Sequence, residues 1–253
     1  TEKKLSKATL ETLAIDCGVD IFRLGTNSTE VDTLYRQIEF CKKNKVEVWG
    51  VLMMAHLVYN KEKDYLKQVK FLVDQGVKTI IIMDSAGVFL PPDIIEIFSN
   101  IKKKFNVQLG FHGHNNFGCA IWNSIAAYKS GANIIDASIK GFGAGAGNTQ
   151  IDILITILEK LNIKTNIDIN SLYSLAKNFP SLLKKNKIHY KNAFSEPKNI
   201  MSANFGLFSG FASKVDYYSK KFKLNDIEAF KSIGEKKLVA GQEDLIFNIL
   251  LNL

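Results

Sequence analysis

Arginine is nearly absent from this sequence. It occurs only at positions 23 and 36, so the formal net charge of +8 is carried by lysine. Guanidinium forks are the preferred tools for reading bases and phosphates, and the lysines are interspersed with acids, as in Lys61-Glu62-Lys63-Asp64. No nucleic-acid partner is expected; Lys102-Lys103-Lys104 and Lys184-Lys185 read as solvated helix ends. Cysteine is scarce as well. Cys17, Cys41 and Cys119 are odd in number and lack Cys-x-x-Cys spacing, which argues for reduced core thiols over a zinc or redox centre. Long apolar runs are missing: Ile80 to Met83 and Ile153 to Ile155 fall far short of the roughly 20 residues of a membrane span. The opening Thr-Glu-Lys-Lys-Leu-Ser-Lys has no apolar signal core. A cytoplasmic protein without a membrane partner is expected.

What is present is an ordinary globular composition, 46% apolar and 23% charged over 253 residues, enough for one barrel-sized domain or a medium domain with an appendage. A repeated phrase organises the first two thirds. Gly18 to Leu24, Gly76 to Ile82 and Gly131 to Asp136 each close an amphipathic stretch with glycine, a helix C-cap, and open an apolar run that suits a buried parallel strand. Further strands fall at Val46 to Met54 and Val107 to His112, giving five strands at a βα step. Helices are predicted at 8 to 17, 30 to 43, 62 to 75, 92 to 104, 118 to 130 and 149 to 161. Such an α/β series builds either a doubly wound sheet or part of a (β/α)₈ barrel. From about 165 the pattern becomes helical, at 169 to 178, 205 to 220, 225 to 234 and 242 to 252, with Pro180 and Pro197 bracketing a polar connection. The predicted division is a barrel portion at 1–163 and a C-terminal helical portion at 164–253.

The chemistry concentrates in Gln108-Leu-Gly-Phe-His-Gly-His-Asn-Asn116. A strand turns successive side chains to opposite faces, so His112 and His114 point the same way at a strand's C-terminal end, where α/β folds place their sites. Imidazoles at i and i+2 suit a divalent transition metal, and hydrogen-bonded structural histidines are the alternative. Gly141 to Asn148 is a glycine-rich loop between strand and helix, with Asn148 or Thr149 available as N-cap and backbone N–H groups able to approach an anion or carbonyl. A tight structural turn is the other reading, and the Gly-x-Gly-x-x-Gly fingerprint fails at Asn148. Met83-Asp84-Ser85-Ala86-Gly87 ends another strand, with Asp84 a candidate loop cap. His56, after Val51 to Ala55, reads as structural.

Together these stretches resemble the 4-hydroxy-2-oxovalerate aldolases, members of the metal-dependent barrel lyases that include isopropylmalate synthases and 3-hydroxy-3-methylglutaryl-CoA lyases. Thr26 to Asp32, Leu52 to His56, Asp84 to Gly87, His112 to Asn116 and Gly143 to Asn148 stand in the family's order, and Val239-Ala-Gly-Gln-Glu-Asp244 is similar to a motif of the aldolase's C-terminal helical region. The resemblance implies a TIM (β/α)₈-type barrel. It implies a Mn²⁺-type ion on His112 and His114, with Mg²⁺, Co²⁺ or Zn²⁺ as alternatives, and substrate contacts from Ser85, His112 and Phe208. Asp84, Asn116, Gly145, Gly147 and Asn148 form the supporting loops.

The implied reaction cleaves a 4-hydroxy-2-oxo acid to pyruvate and an aldehyde, with an acetaldehyde dehydrogenase partner and a homodimer or hetero-oligomer. The family's Arg-Asp pair and following His, which supply enolate stabilisation, a third ligand and the base, have no counterpart here, so the catalytic base is not assigned. By alignment the first three βα units are lacking, and with Thr at position 1 the chain reads as a portion of a longer protein. Asn27 stands for a family His, and Phe208 for a substrate-contacting Tyr. That replacement keeps open a related enzyme acting on a larger 2-oxo or sugar-derived acid, and the lacking residues keep open a non-catalytic remnant.

Overall fold

The computed structural model describes residues 17–59, 62–188 and 196–253. Five parallel strands pair in sequence order: β1 (Ile21–Asn27), β2 (Glu47–Met53), β3 (Thr79–Asp84), β4 (Gln108–Gly113) and β5 (Ile134–Asp136). Helices alternate with them: α1 (Tyr35–Lys43), the short α2 (His56–Tyr59), α3 (Glu62–Asp74), α4 (Pro91–Lys104), α5 (Ala120–Lys129) and α6 (Ile151–Lys160). The predicted strands and helices match these closely, except that the helix at 8 to 17 lies outside the described residues apart from Cys17. No described helix is long and apolar enough to cross a membrane.

The sheet has a helix-covered face and an inner face. Phe22, Leu24, Val48, Leu52, Ile80, Ile82, Leu109 and Phe111 are buried with Ile38, Leu72, Phe98 and Ile101 of the helices in one core. Because side chains alternate along a strand, Arg23, Trp49, Ile81, His112 and Asp136 belong to the opposite face. In a flat sheet β1 and β5 would stand four spacings of about 4.8 Å apart, about 19 Å. Instead Arg23 Nη1 donates to Asp136 Oδ1 at 3.0 Å and Nη2 to Oδ2 at 2.5 Å. The five strands therefore curl into an arc whose two edges meet through side chains, the curvature of a barrel.

Among the helices of the outer layer, α4 has clear start and stop signals. Pro91 opens it, Asp93 Oδ2 accepts from Leu90 N at 2.8 Å, and Lys102, Lys103 and Lys104 close it at the negative end of the dipole.

Past α6 the chain is helical: α7 (Ile169–Lys185), α8 (Pro197–Asn204), α9 (Ala212–Phe222), α10 (Asp226–Glu235) and α11 (Leu245–Leu251). Two expectations are corrected here. Pro180 does not open a connection but sits inside α7. Leu172 and Leu183, on either side of it, are both buried, and Tyr173 and Phe179 contact Thr156 and Phe142, so packing holds the helix across the proline. The predicted helix at 205 to 220 is interrupted: Phe205 to Phe208 form a turn at Gly206 (φ +67), followed by a 3₁₀ turn at Ser209–Phe211. Helices α9 to α11 enclose a second core of Leu207, Phe211, Val215, Phe230, Ile233, Ile246 and Leu250.

Candidate functional site

All five strands end toward the same rim, where the predicted site residues collect. His112 and His114 share a face as their spacing requires, with ring centroids 5.3 Å apart. Their environments differ. His112 Nδ1 lies 2.9 Å from Asp136 Oδ2, and since a carboxylate can only accept, Nδ1 carries the proton, which leaves the lone pair of the neutral ring on Nε2. The pairing follows from register, because His112 and Asp136 are direct neighbours across β4 and β5. Burial would raise the Asp136 carboxyl, but hydrogen bonds from His112 and Arg23 and the guanidinium charge outweigh it and hold the group below the usual carboxylate range.

His114 is buried. Burial and the neighbouring His112 push its pKa down to about 4 against a hydrogen bond to the Ala144 backbone, so the ring is neutral at pH 7. Its Nδ1 is buried with no partner among the described residues. Across an isolated antiparallel bridge from His114 lies Asn148, whose Oδ1 is likewise buried and unpartnered. Two buried Lewis bases on paired residues, beside the free Nε2 of His112, form a donor set that suits a divalent ion. The described residues contain no group of three His, Cys, Asp or Glu placed to hold a metal.

Asp84 has the capping role that sequence offered as the simpler reading. Its Oδ1 accepts from Val88 N at 3.0 Å and its Oδ2 from Phe89 N at 3.1 Å. Burial pushes its pKa up to about 7 against these N–H groups. Ser85 is fully buried, and its Oγ accepts from Met54 N at 2.9 Å. Asn116 joins three segments: Nδ2 donates to Ala86 O at 3.0 Å and Ser209 Oγ at 2.9 Å, and Oδ1 accepts from Ala146 N at 2.9 Å.

The glycine-rich loop is a tight turn. Ala146 N is spent on Asn116, Gly147 N on Ala144 O and Asn148 N on Gly141 O. Gly145 sits at φ +61 and Gly147 at φ +90; a Cβ on Gly145 would lie 2.6 Å from Asn116 Oδ1, and one on Gly147 2.2 Å from Gly141 O. Neither Asn148 nor Thr149 is the N-cap of α6, which is Gln150. Thr149 N instead donates to Gly113 O and its hydroxyl meets Ser124 Oγ, so the chain is still tied to β4 there.

The helical region reaches this rim. Ser209 Oγ and N both donate to Ser85 O, at 2.7 and 3.0 Å, and His56 Nε2 lies 2.9 Å from Gly206 O. Phe208 therefore stands beside the end of β3, its ring edge-on to Phe211 at 5.3 Å. Sequence reasoning did not single out Arg23, Asp136 or Ser209. Asp136 had a usable signal, since it closes the third repeated phrase at the position equivalent to a strand's functional end.

Comparison with known proteins agrees with this geometry. Residues 23–178 match the HMGL-like family model, and residues 194–253 match the DmpG-like communication domain. The chain is 38% identical over 242 residues to a protein of Pectobacterium atrosepticum named 4-hydroxy-2-oxovalerate aldolase, spanning 96% of this chain and 68% of that one. A namesake from Spirochaeta aurantia is 38% identical over 237 residues, 94% of this chain and 67% of its own. Among solved structures, a carboxylase fold is similar over 97% of this chain and 23% of that one: Rhizobium etli pyruvate carboxylase, with a TM-score of 0.81 at 12% identity. The HMG-CoA lyase of Acinetobacter baumannii superposes with a TM-score of 0.59 at 23% identity over 68% of this chain and 64% of that one. At those identities the two structures speak for the fold alone, a TIM-barrel architecture. From the matched family model and the extent of the similar sequences, the chain belongs to the HMGL-like family.

Proposed function

We propose that the chain acts in a divalent-metal-dependent aldolase that cleaves 4-hydroxy-2-oxovalerate-type 2-oxo acids to pyruvate and an aldehyde, a carbon–carbon lyase. The carrying observation is the pair of adjacent imidazoles, each with one lone-pair nitrogen, at the C-terminal ends of a curved parallel sheet. His112 through Nε2 and His114 through Nδ1 would hold the ion, with Mn²⁺ the preferred identity, and Asn148 Oδ1 adds a neutral oxygen. When bound, the ion supplies Lewis-acid stabilisation of the charge that develops on the 2-oxo oxygen during C–C cleavage.

This chain's residues shape the remainder. Ser85, Phe208 and His112 are assigned to substrate contact, Phe208 adjoining the Ser209 that donates to Ser85 O. Asp84, Asn116, Gly145, Gly147 and Asn148 hold the two loops around the imidazoles. The helical region would receive an acetaldehyde dehydrogenase and form the homodimer or hetero-oligomer contact; similarity to a communication domain supports this. We keep the division at 1–163 and 164–253, with α7 leaning on the barrel portion, and a cytoplasmic location, with which the three free thiols accord.

The test is a metal titration of wild type against the His112→Ala, His114→Ala double variant, with pyruvate release followed in parallel. Loss of both in the variant is expected; unchanged metal affinity would overturn the reading. Phe208 favours a second reading, in which the cleaved acid is larger. A panel of 2-oxo acids releasing acetaldehyde or longer aldehydes separates the two, and Phe208→Tyr should shift preference toward the smaller product without changing metal affinity.

A further inference from the structure

We infer that Asp136, braced by Arg23, is a positioning residue that fixes the tautomer and orientation of His112. The inference rests on the metal-site reading above. Asp136 Oδ2 receives His112 Nδ1 at 2.9 Å, and the same carboxylate receives both terminal nitrogens of Arg23, at 3.0 and 2.5 Å. Arg23 comes from β1 and Asp136 from β5, the two edges of the sheet. The guanidinium therefore pins the carboxylate from across the barrel interior while β5 holds its backbone beside β4.

Three consequences follow from this geometry. A free imidazole exchanges its proton between Nδ1 and Nε2, but a carboxylate at Nδ1 admits only the Nδ1–H form. In the neutral ring Nε2 is then the lone-pair nitrogen, and the ring plane is set by the contact. A carboxylate behind a ligating imidazole also raises its basicity as a donor. Arg23 keeps the carboxylate from rotating toward solvent, since a bidentate fork fixes both oxygens. His114 has no such carboxylate; its Nδ1 is unpartnered among the described residues. The two imidazoles are thus held by different means, His114 by burial and a hydrogen bond to the Ala144 backbone, His112 by a carboxylate in an ion pair that spans the sheet. Trp49 supports the arrangement from β2, with the Arg23 guanidinium 5.8 Å from its ring.

The experiment uses the full natural protein and two readouts. Nitrogen-15 NMR of the metal-free form at about pH 8, above the usual histidine pKa, reports the His112 tautomer. Calorimetric Mn²⁺ titration reports affinity. Wild type is expected to show Nδ1–H at His112. Asp136→Ala should mix the tautomers and weaken Mn²⁺ binding about 10- to 100-fold. Asp136→Glu should restore part of both. Asp136→Ala leaves Arg23 without its partner, so the Arg23→Gln, Asp136→Ala double variant, which removes both charges, serves if the single variant folds poorly. The same loss is expected in the double variant as in the single, because the two residues act through one contact. An unchanged Nδ1–H signal in a folded Asp136 variant overturns the inference, as does Mn²⁺ affinity within about twofold of wild type where His112→Ala binds weakly. If His112→Ala itself binds Mn²⁺ normally, the metal reading fails, and the NMR signature then decides the positioning role by itself.

Discussion

Asn116 Nδ2 donates to Ser209 Oγ at 2.9 Å, joining residues 93 apart in the chain. The same amide holds Ala86 O and Ala146 N. One buried side chain thus binds the loop after β3, the glycine-rich loop and the helical region. Ser209 returns the link by donating twice to Ser85 O. Movement of the helical region relative to the barrel would have to break these bonds directly beside the two imidazoles.

Asn116→Ala should be among the most damaging single changes outside the apolar cores. It leaves Ala86 O and Ala146 N buried without partners, each costing about 1–3 kcal/mol, so a loss of about 3–5 kcal/mol is expected in urea unfolding. Ser209→Ala keeps the backbone bond to Ser85 O and should cost about 1–2 kcal/mol. Equal effects of the two would contradict the hub role of Asn116.

Gly145→Ala tests the loop's geometry. The residue has φ +61, and an added Cβ would meet Asn116 Oδ1 at 2.6 Å and Ser209 Cβ at 3.0 Å. Oδ1 is tied to Ala146 N and cannot swing away without losing that bond. The left-handed backbone costs about 1–2 kcal/mol and overpacking about 1–3. A drop in urea midpoint at constant slope is expected, and an unaffected midpoint would show that the loop has room the geometry denies.

Much of this was legible in the sequence. A glycine C-cap before three of the apolar runs, with two more runs midway between them, marked the strands, and the period-2 placement of His112 and His114 marked the centre of the site. Strand alternation alone could not reveal that Arg23 meets Asp136, because the contact depends on how far five strands curl. Nor could local propensity show that α7 runs through Pro180, where burial of Leu172 and Leu183 on both sides overrides the proline's preference. The turn at Phe205 to Phe208 falls inside the stretch expected to be helical from 205 to 220. Its backbone is instead used for docking, Gly206 O on His56 and Ser209 N on Ser85.

His56 gives a pH signature. Burial lowers its pKa from 6.5 to about 4, against the hydrogen bond to Gly206 O. Between those values the unfolded chain binds more protons at this residue than the folded one, so stability from it is complete above about 6.5 and is lost as pH falls toward about 4. Asp84, raised to about 7, works in the opposite direction over an overlapping range. The comparison is therefore wild type against His56→Gln, in which the Asp84 contribution cancels. The slope of stability against pH should be shifted in the negative direction in the variant, by up to about 1.4 kcal/mol per pH unit relative to wild type in that window. Parallel curves from urea melts would refute the assignment.

The most direct test of the metal-dependent aldolase account is pyruvate release from 4-hydroxy-2-oxovalerate by the full natural protein, coupled to lactate dehydrogenase, with Mn²⁺ and then with chelator. The account predicts turnover that chelator abolishes, Mn²⁺ restores and the His112→Ala, His114→Ala variant lacks. Turnover that persists in chelator, or that survives loss of both histidines, would contradict it.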